Sequence, residues 1–423
     1  MEISFTPENL AGTMHIIPSK SSAHRILIAA ALAEAPTTLR LLATSQDIDA
    51  TGRCLGALGA RLVWRQEELT VWPIPRHLDA VPLLDCGESG STLRFMLPVA
   101  AALCPRVELT ALPGLAARPM QPLLDCLAAH GVACTDTKLP LATSGMLRPG
   151  LFVLPGDVSS QYITGLLFAL PLLAEQSEIR LTTLLQSAGY VEMTLDTLAQ
   201  FGIAVQPTAT GYLVPGGQQY RSPGQAVVEG DWSNAAFWLA AGALSGPVTV
   251  TGLSAHSLQR DRQIVELLGQ FGADVTQGPA GITVAHRPLR GIAVNVRDIP
   301  DLLPILAVVA AFAAGDTTFT HAQRLRLKES DRLATVQALL EGLGVRVETT
   351  PDSMTVHGTG TPPPGGRADS ANDHRIAMAA AVAAAHCTGP VTLVNPMAVN
   401  KSYPDFYKDY QQLGGTTHVV NLR

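Results

Sequence analysis

Charge is scarce in this chain. Of its 423 residues, 29 are Lys or Arg and 35 are Asp or Glu, 15% in all, against a usual quarter. Aromatic residues make up only 5%. A disordered chain needs the opposite composition, high charge with low hydrophobicity, and 37 glycines are far too few for collagen. The net charge of −6 offers nothing to nucleic acid or to an anionic membrane surface. Cysteines are few and scattered: Cys54, Cys86, Cys104, Cys126, Cys134 and Cys387, with no CxxC pair. That excludes a zinc ribbon and suits a reducing compartment. Long apolar runs are missing too. Leu302 to Ala314 reads as a buried helix, whereas a membrane span needs about 20 residues. The opening MEISFTPENLAG has neither a basic cluster nor an apolar stretch, so no secretory signal is expected and the cytoplasm is the expected setting. At this length two or three domains are expected rather than one core.

What is present is a repeat. A helical run closed by Gly and followed by a β-like segment recurs around Gly59, Gly131, Gly202, Gly272, Gly344 and, more weakly, Gly414, at spacings of 70 to 72 residues. Apolar residues at i, i+3 and i+4 line one helix face, and Gly sits where a left-handed backbone ends the helix. A second series interleaves with the first. Very apolar helices open at Ser21, Ser91, Ser160, Ser233, Asp301 and Asp373, as in SNAAFWLAAGAL and DLLPILAVVAAFAA. Helices with hardly a charge are buried nearly all round. Short strands such as Val107–Leu112, Glu178–Leu184, Pro247–Leu253, Thr317–Ala322 and Pro390–Pro396 lie between them. Six units fit two domains of three, with a break in the Gly- and Pro-rich stretch Pro215–Gly230.

The few charges gather at helix starts. PSKSSAHR carries Lys20, Ser21 and Arg25; CGESGSTLR carries Glu88, Ser91, Thr92 and Arg94; GDVSSQY carries Ser159, Ser160 and Gln161. Free N–H groups beside small hydroxyls suit a phosphate or a carboxylate, although no Walker A loop is present. The second half adds Asp301, the segment RLRLKESDR, NDHR and NKSYPDF, and Arg118 lies in LPGLAARPM. Plain explanations exist for each alone: an N-cap serine, a solvated helix face, an i,i+3 pair between Glu329 and Arg332, His374 as a cap. Their recurrence at one end of successive repeats predicts convergence. A cleft between the domains would then hold Lys20, Arg25, Arg118, Lys328, Arg332, Arg375 and Lys401, a setting for a substrate with several anionic groups.

On PSKSSAHR, CGESGSTLRF, LPGLAARPM, GDVSSQY, VEGDWSNAAFWLAAGAL, RLKESDRL, NDHRIAMA and NKSYPDF, the chain resembles the 5-enolpyruvylshikimate-3-phosphate synthase family over essentially its whole length. The resemblance implies an α/β (α+β) fold of two similar domains, each of three βαβαββ repeats around buried helices, like an inverse α/β barrel. It implies one domain at 17–228 and another at 1–16 with 229–423, the phosphoenolpyruvate site lying in the cleft. It implies transfer of the enolpyruvyl group of phosphoenolpyruvate to the 5-hydroxyl of shikimate 3-phosphate, with no metal or cofactor, no nucleic acid or membrane partner, and a monomer. By similarity Ser159 and Ser160, helped by Lys328, hold the 3-phosphate; Ser21, Arg25 and Gln161 fix the carboxylate and ring; Tyr190 lies near the ring. Arg118, Arg332, Arg375 and Lys401 bind phosphoenolpyruvate, Gly90 allows close backbone approach with Glu88 at the loop edge, and Asp47 lies in the loop after the first helix.

The resemblance also assigns chemistry. Asp301 is the base for the 5-hydroxyl; Glu329 is the leading acid towards C3, and Lys20 shares that task or stabilises charge. The family is inhibited by glyphosate, so inhibition in competition with phosphoenolpyruvate is expected. Glu88, Phe95 and Arg324 depart from the commonest pattern, and Glu88 and Phe95 are expected to flank the phosphoenolpyruvate pocket. The related transferase acting on UDP-N-acetylglucosamine fits less well, because no cysteine adjoins Arg118 in LPGLAARPM. A non-catalytic anion binder on the same repeats would be expected to lack Lys20, Asp301 or Glu329, and all three are present. RNA 3′-phosphate cyclases share part of the architecture, but the chain lacks their expected basic stripe.

Overall fold

The computed structural model describes residues 1–75 and 80–421. Its strands pair into six four-stranded sheets that share one grammar. Leu83–Asp85 runs parallel to Arg106–Thr110, with the apolar helix Gly90–Leu103 as the crossover. Arg106–Thr110 pairs antiparallel with Leu141–Ser144, and that strand pairs antiparallel with the edge strand Ala133–Cys134. Parallel neighbours need such a crossover, whereas the last pair is a hairpin. The other five sheets repeat this order in space, so each completes a βαβαββ unit, although in three of them one strand comes from a distant part of the chain.

The chain divides into two compact units: 18–228, and Met1–Ile17 with Glu229–Arg423. Ile17 thus belongs with the second of these. Each unit has one contiguous apolar core. The chain builds the strand Gly12–His15, leaves to make residues 18–228, and returns to place Val248–Thr251 parallel beside Gly12–His15. The very first strand, Glu2–Thr6, is inserted between Val391–Val394 and Thr416–Asn421.

The six apolar helices are Lys20–Leu32, Gly90–Leu103, Ser160–Ala169, Trp232–Leu244, Leu303–Phe312 and His374–His386. Each is buried along nearly its whole length, as their lack of charge demands. In LPILAVVAAF every residue from Leu303 to Ala311 is buried, and each large apolar side chain so buried contributes about 1.5–3 kcal/mol. Taken at the cap, the start at Asp373 is as expected, and the others shift. The caps are Ser19, Ser89, Ser159, Asp231 and Asp373, whose side chains accept from backbone N–H groups two or three residues on. Ser21, Ser91 and Ser233 lie inside the first turn, so their hydroxyls are released from capping. The cap in NDHR is Asp373 rather than His374. The fifth helix has no side-chain cap and opens through a 3-10 turn, Pro300–Leu302, that carries Asp301.

The outer helices end alike. Gly59, Gly131, Gly202, Gly272, Gly344 and Gly414 all have φ between 75° and 112°. The residue after each Gly donates its N–H to the carbonyl five positions back, as Ala60 to Leu55, Ala273 to Leu268 and Val345 to Leu340. This is a Schellman closure in every repeat.

Candidate active site

Within 18–228 the first turns of the three buried helices are tied together by polar contacts. A buried chain runs from His24 Nδ1 to Thr51 Oγ1 (2.7 Å), on to Thr92 Oγ1 (2.7 Å) and to Ser89 Oγ (2.8 Å). Burial, reinforced by Lys20 and Arg25, holds His24 well below the usual histidine range, so the ring is neutral. Gln161 joins the second and third helices: its Oε1 accepts from Arg94 Nη1 at 2.6 Å and its Nε2 donates to Ser91 Oγ at 2.9 Å. Ser159 Oγ caps its helix through the Gln161 N–H, and Ser160 beside it is buried.

Lys20 Nζ lies 2.9 Å from Asp47 Oδ2. Asp47 is in the first turn of the helix Gln46–Ala57, not in a loop. Arg25 is nearly fully buried and donates to Ser21 O, Tyr190 O and Thr194 Oγ1. Burial presses its guanidinium down to about 10, against the pull of Tyr190. It remains charged at neutral pH. Ser187, just before the helix Ala188–Gln200 that carries Tyr190, is a buried non-glycine at φ 55°. Such a conformation is uncommon and clusters at functional sites.

Gly90 is the first residue of its helix, and a Cβ there would meet Arg118 Nη1 at 2.9 Å and Arg94 Nη1 at 3.0 Å. Two guanidinium groups therefore approach the positive end of a helix dipole, an arrangement that favours an anion beside them. Arg94, buried and one turn into the helix, was not assigned a role from sequence. Its place in STLR, one helical turn from Gly90, was the available signal. Glu88 lies near the same loop, its carboxylate 3.2 Å from where a Gly114 Cβ would stand. Arg118 follows a single helical turn, Pro113–Ala116. Phe95, expected at the pocket edge, is 1% exposed and packs in the core against His24 and Phe168. Residue 95 points away from its neighbour 94 because successive helical positions diverge by about 100°.

The other unit holds a tighter ionic cluster. Arg332 is 1% exposed, and each of its three nitrogens donates to a different carboxylate: Nε to Asp373 (2.9 Å), Nη1 to Asp301 (2.6 Å), Nη2 to Glu329 (2.7 Å). RLKESDR is thus not a solvated face. Arg375 Nη2 reaches Asp301 Oδ2 at 2.9 Å, and Lys328 Nζ lies 3.6 Å from Asp301 Oδ1. Lys401 donates to the carbonyl of Asn372, next to Asp373. Ala371 and Asn372 are both left-handed, with φ of 49° and 57°, a strained approach to the capping Asp373.

Burial alone would raise Asp301, but Arg375, Lys328 and Arg332 together hold its carboxyl well below the usual carboxylate range. Lys328 is lowered by burial and by Arg332 and Arg324, against the pull of Asp301 and Glu329. For Arg332 burial opposes the charge, and Asp373, Glu329 and Asp301 outweigh it, so the guanidinium stays charged. Such a network is stable only while every charge keeps its partners. A multiply anionic ligand that offers new partners would redistribute it. Among the described residues, no group of His, Cys, Asp and Glu is arranged to hold a metal ion.

The family model described as EPSP synthase (3-phosphoshikimate 1-carboxyvinyltransferase) matches residues 5–410. The chain belongs to the EPSP synthase family. A 3-phosphoshikimate 1-carboxyvinyltransferase of Clostridium kluyveri is 38% identical, over 98% of this chain and 97% of that protein. The one from Halobacterium salinarum is 39% identical, over 99% of this chain and all of the other. An EPSP synthase structure from Acinetobacter baumannii superposes with a TM-score of 0.83 at 25% identity, covering 99% of this chain and 100% of that one. The enolpyruvyl transferase NikO of Streptomyces tendae shares the fold, with a TM-score of 0.77 at 19% identity over 99% and 98% of the two chains.

Proposed function

We propose that the two charged sets described above act on one pair of substrates. The reaction is the family's: the enolpyruvyl group of phosphoenolpyruvate moves to the 5-hydroxyl of shikimate 3-phosphate and inorganic phosphate leaves, in aromatic amino-acid biosynthesis. Ser159, Ser160 and Lys328 hold the 3-phosphate; Ser21, Arg25, Gln161 and Tyr190 hold the carboxylate and ring. Arg118, Arg332, Arg375 and Lys401 take the phosphate and carboxylate of phosphoenolpyruvate, with Gly90 leaving room for them and Arg94 supporting Gln161.

The observation that carries this reading is the trio of cations on Asp301. With all three in place Asp301 is a weak base. When the anions of phosphoenolpyruvate draw Arg332 and Arg375 towards themselves, the proton affinity of Asp301 rises. It can then take the proton of the 5-hydroxyl as that oxygen bonds to C2. C3 gains a proton from Glu329, assisted by Lys20, and becomes a methyl group. The tetrahedral intermediate next breaks its C2–O bond to phosphate while C3 returns a proton, restoring the double bond. Dedicated anion partners for both substrates match a site that needs no nucleotide or metal.

Phosphate release with both substrates present tests the reading. Release that persists with either substrate omitted, or that requires UDP-N-acetylglucosamine in place of shikimate 3-phosphate, would overturn it. We place the chain in the cytoplasm, consistent with the absence, among the described residues, of any helix long and apolar enough to cross a membrane. We also read it as a monomer; sedimentation at a single-chain mass checks this.

A further inference from the structure

A short turn, Arg260–Gln263, leads into the helix Ile264–Phe271 and packs on the fourth buried helix, Trp232–Leu244. Arg260 and Arg262 face solvent, while Asp261 between them is 3% exposed. Its Oδ2 accepts a hydrogen bond from the Ser233 hydroxyl, the group released from capping. Among the described residues, no Lys, Arg or His nitrogen forms an ion pair with it. Asp231, the cap of the fourth helix, and Asp301 act on it as neighbouring negative charges, and Arg375 is the cation that acts on it. Asp231 is already directed at the helix start, where it accepts from the Asn234 N–H. Lys328, Arg332 and Arg375 stand against Asp301, Glu329 and Asp373 in this unit. A negative charge at Asp261 would oppose an anionic substrate beside Arg375.

We propose that Asp261 is a positioning residue of the reaction: as the neutral acid it leaves the charge of Arg375 to Asp301 and to phosphoenolpyruvate, and as the anion it competes for that charge. The inference rests on the reading of Arg375 as a ligand of phosphoenolpyruvate. Burial and the repulsion of Asp301 push the Asp261 carboxyl up to about 7, against Arg375 and the Ser233 hydroxyl, with Asp231 adding to the rise. The change between its two forms therefore falls near neutral pH. Ionisation should weaken phosphoenolpyruvate binding without touching the groups assigned to shikimate 3-phosphate.

The test is the KM for phosphoenolpyruvate against pH in the full-length wild type, Asp261→Asn and Ser233→Ala. The substrate phosphates titrate alike with every variant, so the ratio of wild-type to Asp261→Asn KM isolates the carboxyl. That ratio should climb above pH ~7, approaching about tenfold per pH unit, while the ratio of KM values for shikimate 3-phosphate stays flat. Calorimetry in buffers of different ionisation enthalpy should show phosphoenolpyruvate taking up a proton with the wild type and not with Asp261→Asn. Ser233→Ala removes a hydrogen bond that favours the anion, so its profile should break at higher pH than the wild type. It also serves as the decisive variant if Asp261→Asn does not fold. Ratios flat with pH, or an unmoved break in Ser233→Ala, would overturn the proposal. Arg375→Lys separates the two levels. A KM for phosphoenolpyruvate unchanged in Arg375→Lys would remove the underlying site reading. A raised KM there, with flat Asp261 ratios, would overturn only the role of Asp261.

Discussion

Individual charges in this chain do not act alone. Glu329 and Arg332 look like a simple i,i+3 pair in sequence, and the pair exists at 2.7 Å. The same guanidinium also binds Asp301 and Asp373, so Glu329 sits at the rim of a cluster. Glu329→Gln keeps the shape and an acceptor for Arg332 but cannot give or take the C3 proton. Turnover is expected to fall about 10²–10⁴-fold, the usual range for a lost acid or base, while shikimate 3-phosphate binding, measured by titration, changes little. Near-normal phosphate release would remove Glu329 from the acid role. Asp261 makes a second residue-scale prediction, on stability. Its folded value of about 7 lies above an unfolded value of roughly 3.9. A group raised on folding stabilises fully below the unfolded value and loses that contribution as pH rises to the folded one. Between those limits the wild type should lose roughly 1.4 kcal/mol per pH unit at this site, and Asp261→Asn should not. Urea unfolding at several pH values would show the variant gaining on the wild type up to pH ~7 and level beyond; a constant offset would count against it. The charged motifs of the site were legible as helix-start clusters, and the resemblance supplied their roles. Asp261 was not legible, because QRDRQ, with arginines on both sides, reads as solvent-facing, and only the fold shows that it packs on the fourth helix.

Helices and their ends were more legible than the contacts they make. The six closing glycines were identifiable because a left-handed residue after an apolar-periodic run has a strong composition signal. The structure puts all six at positive φ. The buried helix starts were two residues out at Ser21, Ser91 and Ser233, since runs of serine or of Asp and Ser offer several competent caps and only geometry selects one. That displacement matters, because it frees Ser91 for Gln161 and Ser233 for Asp261. One helix tests the glycine argument internally. In Ile264–Phe271, Gly269 has open space where a Cβ would lie, whereas Gly272 has φ 112° and a Cβ there would meet the Pro288 carbonyl at 2.9 Å. Gly269→Ala should stabilise by up to ~1 kcal/mol through helix propensity. Gly272→Ala should cost about 1–3 kcal/mol through backbone strain and the close contact. Parallel urea titrations of the two variants read both; equal signs would show that the left-handed closure does not matter to stability.

At the scale of the whole molecule, closure of the C-terminal repeat depends on the first residues of the chain. The sixfold spacing announces six units, but a periodic sequence alone does not say which strand completes the last one; the resemblance pointed to the N-terminal strand. In the structure Glu2–Thr6 is an inner strand, paired on both sides, and Phe5 is fully buried against Tyr407 and Tyr410. Removing residues 1–6 would leave Val391–Val394 and Thr416–Asn421 without the strand that joins them, exposing two edges of unpaired backbone groups. It would also empty the core beneath Phe5. Phe5→Ala alone should cost ~3–5 kcal/mol. The truncated chain should therefore be recovered aggregated, whereas a synthetic peptide of residues 1–6 added during refolding should restore soluble protein with phosphate-release activity. A soluble, fully active truncated chain would mean that the last sheet closes without its first strand, and that the pairing of the two chain ends is not what holds the unit together.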